Sequence, residues 1–310
     1  MRAAALALAL EAALGYPDAL YRRAGHPVNG FAALINGLER RLNRAELSED
    51  QRRRNGMLTA AATLAVGAAV GLVLQAIAGR SRHPRLLTVL FATPGLAQRS
   101  LHDHVAAVRT PLAAGDLPKA RAEVGKIVGR DTDTLDEAGV ATAAIESLAE
   151  SFNDGVVAPA LWLAAAGLPG LYAYKALNTA DSLIGHREPR WRAFGWAAAR
   201  ADDIANLIPA RLSGGVLALA GGGGWRTMAR EAGKHASPNA GWPEAAMAGA
   251  LGVRLGGPVR YDGVRTDRPV FGGGGRRPGA ADLSRGLAVY RGACVLLAGG
   301  MLALSLTRRR

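Results

Sequence analysis

Two glutamates and an aspartate in an otherwise apolar stretch have residue types suited to metal or phosphate chemistry. Glu146, Glu150 and Asn153 follow one another at i, i+4 and i+7, which places them on one face of a helix, and Asp154 comes next. Two carboxylates at this spacing repel by roughly 0.2–0.5 kcal/mol in water and by more when partly buried. We therefore expect a cation between them, either Mg²⁺ or an arginine. A solvated acidic face is the alternative.

A second polar group follows another apolar stretch. On a helix, Lys175, Asn178, Asp181 and Ser182 stack along one side. The group combines a charge pair with two neutral hydrogen-bonding side chains.

A third group recurs every three residues, with Arg200, Asp203 and Asn206 followed by Arg211. Charged side chains at mid-bilayer cost about 2.5–3.5 kcal/mol each, so they are expected to line a polar cavity or lie at the membrane interface. A fourth group, Arg130 and Asp131, lies in a loop that by itself reads as a turn.

The elements that must position these groups are mainly apolar helices. Residues 57–78 carry no formal charge over about 22 residues, enough to cross a bilayer core of about 30 Å. Residues 287–306 form a second candidate span, and residues 3–14 predict a retained first helix. Prolines and a glycine break residues 156–177, which predicts a broken or re-entrant helix pair. Residues 204–222 are a weaker span.

Between the spans, residues 100–153 predict a polar helical insert. Asp116 can cap one of its helices, and the spacing of Thr134 and Glu137 fits a capping box that opens the next. Residues 256–286 are rich in Gly, Pro and Arg and predict an irregular loop. The pattern predicts an all-α, polytopic integral membrane helical bundle, with residues 1–310 forming a single membrane-embedded domain.

The charge distribution supports a membrane location rather than nucleic-acid binding. The formal net charge is +13, but the basic residues cluster at the edges of apolar runs, and no Cys/His finger or aromatic-rich RNA-binding signature is present in the sequence. The many small apolar residues suit tightly packed membrane helices. With one cysteine, Cys294, the chain excludes an internal disulfide and a cysteine-based zinc site.

Long motifs in a fixed order resemble the CobD/CbiB adenosylcobinamide-phosphate synthase family over most of the chain. The central ones are YKALNTADSLIGHR at 174–187, ARADDIAN at 199–206 and IPAR at 208–211. The others are GRDT at 129–132, AIESLAE at 144–150, DGVVAP at 154–159 and PNAGWPEAAMAGAL at 238–251.

This resemblance implies amide-bond formation. The expected reaction joins (R)-1-amino-2-propanol, or its O-phosphate, to a propionate side chain of adenosylcobyric acid at the expense of ATP, with Mg²⁺. It implies a multi-pass protein of the bacterial inner membrane whose site faces the cytoplasm. It also allows association with other membrane enzymes of cobalamin assembly.

The resemblance marks a set of site residues, and their roles are hypotheses. The expected catalytic residues are Glu146, Glu150, Lys175, Asp181 and Asp203. Metal binding is assigned to Glu146, Glu150, Asp154 and Asp181. Substrate or phosphate binding is assigned to Arg130, Asp131, Asn178, Ser182, Arg187, Arg200, Asn206, Arg211 and Asn239. The general base for the amine is one of the carboxylates or His186.

Two other functions fit parts of the sequence. The segment DGVVA at 154–158 matches the start of the D-G-x-x-A-R motif of CDP-alcohol phosphotransferases, but Pro159 stands where that motif has arginine. Broken helices with intramembrane charges also describe transporters, so a transporter or assembly factor for corrinoid intermediates is the non-enzymatic alternative.

Overall fold

A computed structural model describes residues 1–16, 25, 27–186 and 188–307 of the chain, which is mostly helical. It divides into two compact units. The first unit comprises Met1–Ala97, Ala158–Asn206 and Met301–Arg310. The second comprises Gln98–Val157 and Leu207–Gly300.

The described helices are, in chain order, α1 (Arg2–Leu14), α2 (Pro27–Leu42), α3 (Glu49–Arg80), α4 (Pro84–Ala92), α5 (Gln98–Ala113), α6 (Leu117–Val124), α7 (Glu137–Phe152), α8 (Ala158–Ile184), α9 (Trp196–Ala205), α10 (Leu207–Ala220), α11 (Trp225–Glu231), α12 (Gly241–Leu251) and α13 (Ala280–Thr307). A π-helical turn, Asn153–Val157, follows α7, and short 3₁₀ turns lie at Thr93–Gly95 and Ala232–Lys234. The strands are β1 (Leu255–Gly256), β2 (Val259–Tyr261), β3 (Val264–Thr266) and β4 (Val270–Phe271). β1 pairs with β4 and β2 with β3, both antiparallel.

Among the residues that the structure describes, three helical stretches are long and apolar enough to cross a membrane: Glu49–Arg80, Glu137–Ile184 and Ala280–Thr307. Two of them contain the predicted spans 57–78 and 287–306, which are confirmed as candidate spans. α3 leaves apolar side chains such as Leu72 and Val73 exposed, and α13 does the same with Val295. Apolar faces of this kind suit contact with lipid. Residues 3–14 are helical as predicted, but α1 is too short to cross a bilayer alone.

α8 is broken, as its prolines and glycine predict. Ala166 has φ −131°, and Gly167 has φ 67° in the left-handed region, so the helical hydrogen-bond ladder is interrupted just before Pro169. Residues 204–222 were predicted as one span and are not. Asn206 is the C-cap of α9, and a separate helix of 14 residues, α10, begins at Leu207.

Glycines on α3 allow it to lie directly against α8 within the first unit. A Cβ at Gly71 would lie 2.4 Å from the carbonyl oxygen of Leu168 and 2.4 Å from the Cα of Pro169. Because both neighbours are backbone atoms, no side-chain movement can make room. Close backbone approach through small residues is typical of helix pairs in membranes.

We therefore expect Gly71→Val to destabilise the first unit by about 1–3 kcal/mol or more, as overpacked cores do. Gly79→Val is the matched control on the same helix, since nothing lies within 4 Å of a Cβ at Gly79. The thermal unfolding midpoints of the two variants in detergent test the expectation. Equal midpoints would show that the helices do not pack through Gly71.

Two local predictions in the second unit need correction. α7 is capped by Asp136, whose side chain accepts from the backbone N–H of Gly139, rather than by Thr134. An aspartate at the N-cap satisfies one of the free N–H groups in the first turn of the helix. Residues 256–286 are not an irregular loop, because they contain strands and the start of α13 at Ala280.

The β2–β3 hairpin has a recognisable local cause. Its two turn residues, Asp262 and Gly263, have φ of 49° and 78°. An Asp-Gly pair with both φ values positive is the favoured two-residue hairpin turn. The high Gly, Pro and Arg content of residues 256–286 favoured an irregular loop over a hairpin in the sequence.

Candidate functional site

Glu146 lies at the centre of a buried cluster of charges in the second unit. α7 carries it into the core, where the side chain is 2% exposed. Oε2 accepts a hydrogen bond from Nη2 of Arg130 and lies 3.7 Å from Nη1 of Arg268. Oε1 accepts from the backbone N–H of Gly256 at 2.5 Å. The cation expected beside this carboxylate is therefore an arginine pair in the described structure.

Glu244 is the second buried carboxylate of the cluster, and it is placed by α12. Its side chain is fully buried, and neither oxygen has a hydrogen-bond partner among the described residues. Nη2 of Arg268 lies 3.5 Å from Oε1, and Nε2 of His235 lies 3.7 Å from it. Burial raises the pKa of Glu244 well above its usual range, and the charges of Glu146 and Glu150 act in the same direction. Glu244 therefore stays protonated at pH values at which an exposed glutamate is already ionised.

Arg268 joins the two carboxylates through one guanidinium. Burial lowers its pKa, but the charges of Glu244 and Glu146 outweigh that effect and raise it, so the group stays protonated. Nη2 also lies 3.0 Å from Nε2 of His235, whose Nδ1 accepts from the backbone N–H of Ser237. The ring of His235 stacks on Phe271 with centroids 6.3 Å apart. Packing and hydrogen bonding together orient this imidazole.

Glu150 and Asp154 lie farther along the same chain segment. Glu150 is exposed and interacts electrostatically with Asp154, Glu146 and both arginines of the cluster. Asn153 does not continue the α-helical face, because it begins the π-helical turn, and its Oδ1 accepts from the hydroxyl of Ser213 at 3.0 Å.

The predicted magnesium ligands are distributed over both units. Glu146, Glu150 and Asp154 belong to the second unit and Asp181 to the first. Within the described ranges, no three His, Cys, Asp or Glu side chains are arranged to hold a metal ion. Both oxygens of Glu146 are already engaged by N–H donors. The residues present therefore do not fit a metal site made of protein ligands alone, whereas Mg²⁺ commonly keeps several waters and is held by substrate phosphates.

Three further predicted residues lie in the second unit. Arg211 donates to the carbonyl of Leu207 at 2.7 Å, lies 3.4 Å from Oδ1 of Asn239 and stacks over Trp242 at 4.7 Å. Asp131 accepts from the backbone N–H groups of Asp262 and Gly263, at 3.1 and 2.8 Å. This aspartate therefore holds the hairpin turn, and its role in substrate binding stays a prediction.

The first unit contains a polar network between α8 and α9, centred on Asp202. Its buried carboxylate accepts from Nδ2 of Asn178 at 3.4 Å and from Nδ2 of Asn206 at 2.9 Å. The hydroxyl of Tyr174 donates to Oδ1 of Asn206 at 3.1 Å. Two of the predicted binding residues, Asn178 and Asn206, thus share one buried acceptor.

Five of the remaining predicted residues of the first unit lie on the same two helices. Lys175, Asp181 and Ser182 follow one another on α8, and the exposed Ser182 donates to the carbonyl of Asn178 at 2.9 Å. Arg200 pairs with Asp203 at 3.1 Å on α9. His186 is exposed. Arg187 lies outside the described residues.

The sequence patterns assign no role to Glu244, His235 or Arg268. Glu244 did carry a signal, because it is the only charged residue of Gly241–Leu251. A carboxylate in an apolar helix must find a partner or lose its charge when buried. Arg268 and His235 lie in irregular sequence and carried no comparable signal.

The described part of the chain is mostly helical, with three candidate membrane spans, and its second unit contains a buried arginine–carboxylate cluster. The family model for the CobD/Cbib protein matches residues 4–290. The chain therefore belongs to the CobD/CbiB family of cobalamin biosynthesis proteins.

The similarity to curated relatives is nearly full length. The chain is 51% identical over 304 residues to the cobalamin biosynthesis protein CobD of Rhodobacter capsulatus, covering 97% of this chain and 95% of the relative. It is 47% identical over 315 residues to CobD of a Sinorhizobium species, with 97% of each chain covered. It is 43% identical over 314 residues to CobD of Brucella suis, covering 97% and 95%. No solved structure matches the chain.

Proposed function

We propose that this protein is an ATP-dependent acid–amine ligase. It joins (R)-1-amino-2-propanol, or its O-phosphate, to a propionate side chain of adenosylcobyric acid and forms adenosylcobinamide or its phosphate. The cluster of Arg130, Glu146, Arg268 and Glu244 carries the proposal, together with membership of a cobalamin biosynthesis family.

The chemistry explains why such a cluster suits ligation. A carboxylate is a poor acyl donor and must first be activated. In the proposed route, a propionate oxygen attacks the γ-phosphorus of ATP, which gives an acyl phosphate and ADP. The amine nitrogen then attacks the acyl carbon, the C–O bond to phosphate breaks, inorganic phosphate leaves, and the nitrogen loses a proton. Arginines stabilise the phosphate charge that is present in both steps.

The cluster supplies groups for both steps. Arg130 and Arg268 are the cationic groups, and Glu146 holds them in place. Glu244 is the proton acceptor for the amine, because its raised pKa places its titration nearer to neutral pH than that of an ordinary glutamate. Mg²⁺ enters the proposal as the ion that accompanies ATP, and no protein ligands are assigned to it.

The location follows from the substrates and the helices. ATP and corrinoid intermediates are cytoplasmic, so we place the site on the cytoplasmic side of a bacterial inner membrane. Association with other membrane enzymes of cobalamin assembly remains part of the proposal.

A reconstituted assay tests the function. Purified protein in lipid receives ATP, Mg²⁺, adenosylcobyric acid and either aminopropanol or its O-phosphate, and product mass and ADP against AMP are followed. We expect an amide product and nucleotide turnover that require both the corrinoid acid and the amine. Binding of the corrinoid without either product would favour a transporter or assembly factor. In a parallel reaction that is supplied with a CDP-alcohol, release of CMP would favour a phosphotransferase.

A further inference from the structure

A pocket lined by arginines lies in the second unit beside the buried cluster. Its volume is about 670 Å³, within the range of about 300–1,000 Å³ usual for small-molecule sites. Five arginines are among the lining residues: Arg130, Arg254, Arg260, Arg265 and Arg277. The lining carboxylates are Asp131 and Asp136.

Both carboxylates that line the pocket already accept hydrogen bonds from other residues of the chain. Asp136 accepts two hydrogen bonds from Arg277, each at 2.7 Å, and Asp131 accepts from the hairpin turn. Arg254 and Arg260 are exposed, and their side chains have no ion-pair or hydrogen-bond partner in the described part of the chain. The pocket therefore carries positive charge that the described residues do not neutralise.

The hairpin brings two of these charges together. Arg260 and Arg265 are directly opposite each other in the β2–β3 register, and both line the pocket. Like charges at opposed positions on adjacent strands are destabilising. Arg265 lies 3.1 Å from Asp267, an exposed pair that offsets only part of this repulsion. A bound anion between the two guanidinium groups would remove the rest.

The wall of the pocket is also built to hold these arginines in position. Asp131 fixes the turn between the two strands, while the backbone N–H of the same residue donates to the carbonyl of Arg260 at 2.9 Å. Gly256 has φ 80°, and a Cβ there would lie 2.0 Å from the carbonyl oxygen of Pro269. Glycine is therefore required where the chain passes Glu146.

We propose that this pocket binds the phosphate groups of a phosphorylated substrate through Arg254, Arg260 and Arg265. Guanidinium groups recognise phosphate by paired, charge-assisted hydrogen bonds. Arg130 and Gly256 line the pocket and also contact Glu146, so a ligand held there lies next to the buried cluster. That the ligand is a substrate of the ligation rests on the proposed function, whereas the binding of phosphate does not.

Equilibrium binding to the full chain tests the pocket. The protein is placed in nanodiscs of zwitterionic lipid, which supply no anionic headgroup. The probes are ATP, 1-amino-2-propanol O-phosphate and, as a ligand control, 1-amino-2-propanol. We expect Arg254→Ala or Arg260→Ala to raise the Kd of whichever phosphorylated probe occupies the pocket, ATP or the aminopropanol phosphate, about tenfold. The double variant should raise it about a hundredfold. Lysine at either position restores part of the affinity, because it keeps the charge but loses the paired geometry.

Arg230→Ala is the matched control, since it removes one exposed arginine of α11 that is not among the pocket-lining residues. We expect its Kd values to equal those of the wild type. Weaker binding of ATP alone identifies the pocket as the nucleotide site, and weaker binding of the aminopropanol phosphate alone identifies it as the acceptor-phosphate site. Either result supports the proposal. Unchanged Kd values for both ligands in a double variant with wild-type thermal unfolding would overturn it.

The ligation assay separates the two proposals. If phosphate binding depends on Arg254 and Arg260 but the wild type forms no amide, the proposed function is wrong, whereas the proposal that the pocket binds phosphate is supported. If the double variant forms amide with the wild-type KM for both phosphorylated substrates, the proposal that the pocket binds their phosphate groups is wrong, whereas the proposed function is supported.

Discussion

Replacing Glu244 with glutamine is expected to lower the rate of amide formation by about 10²–10⁴-fold, the usual contribution of a positioned acid or base. Glutamine keeps the shape of the side chain but cannot accept the proton of the amine. The fold is expected to survive, because the replaced carboxylate is buried without a hydrogen bond of its own. The measurement is the single-turnover rate of amide formation in the reconstituted assay.

The pH dependence separates this role from a structural one. The wild-type rate should rise with pH through the raised pKa of Glu244, because only the ionised form accepts a proton. This rise should be absent from the residual rate of Glu244→Gln. Glu137→Gln, an exposed glutamate in the first turn of α7, is the control and should keep the wild-type profile. A Glu244→Gln variant with the wild-type rate would remove Glu244 from the chemistry.

Stability should change with pH in a related way. The folded-state pKa of Glu244 lies above that of the unfolded chain, so its contribution to stability is complete below the unfolded pKa. That contribution is lost as pH rises through the folded-state pKa, because the folded protein must then bury a charge. The wild type should therefore lose stability relative to Glu244→Gln over this interval. Thermal unfolding midpoints of both proteins across the interval measure the difference.

The second large effect is expected at Arg130. Arg130→Met removes the closest cation from Glu146, whose side chain is 2% exposed, and leaves a buried carboxylate with only the more distant Arg268 and one backbone donor. Breaking a buried ion pair in this way costs about 3–5 kcal/mol. We expect a loss of this size in the free energy of unfolding, measured by denaturant titration in detergent.

A double-mutant cycle gives the control. Combining Arg130→Met with Glu146→Met should recover much of the lost stability, because neither charge then remains buried alone. Arg192→Met breaks an exposed pair with Glu49 and should cost at most about 1 kcal/mol. If Arg130→Met lowered the free energy of unfolding no more than Arg192→Met does, the ion pair with Arg130 would not be what stabilises the buried charge of Glu146. Ligation should be lost in the double variant even where stability returns.

The sequence by itself determined the helical architecture and the family. Uncharged stretches of sufficient length specify candidate spans such as Glu49–Arg80, because the cost of exposing polar groups to lipid depends on composition and length alone. Helix breaks near Gly167 and Pro169 follow from backbone chemistry that each residue carries with it. The motif around Glu146 was also visible, since carboxylates in an apolar stretch require a partner.

Only the tertiary structure decided which partners those carboxylates have. Glu146 accepts a hydrogen bond from Gly256, 110 residues away, and shares Arg268 with Glu244. The hairpin that presents Arg260 opposite Arg265 is anchored by Asp131, more than a hundred residues upstream. Local propensity and periodicity describe neighbours within a turn or two, whereas charge pairing depends on distances set when distant segments pack. The choice of arginine beside Glu146, and the pocket next to it, therefore belong to the fold.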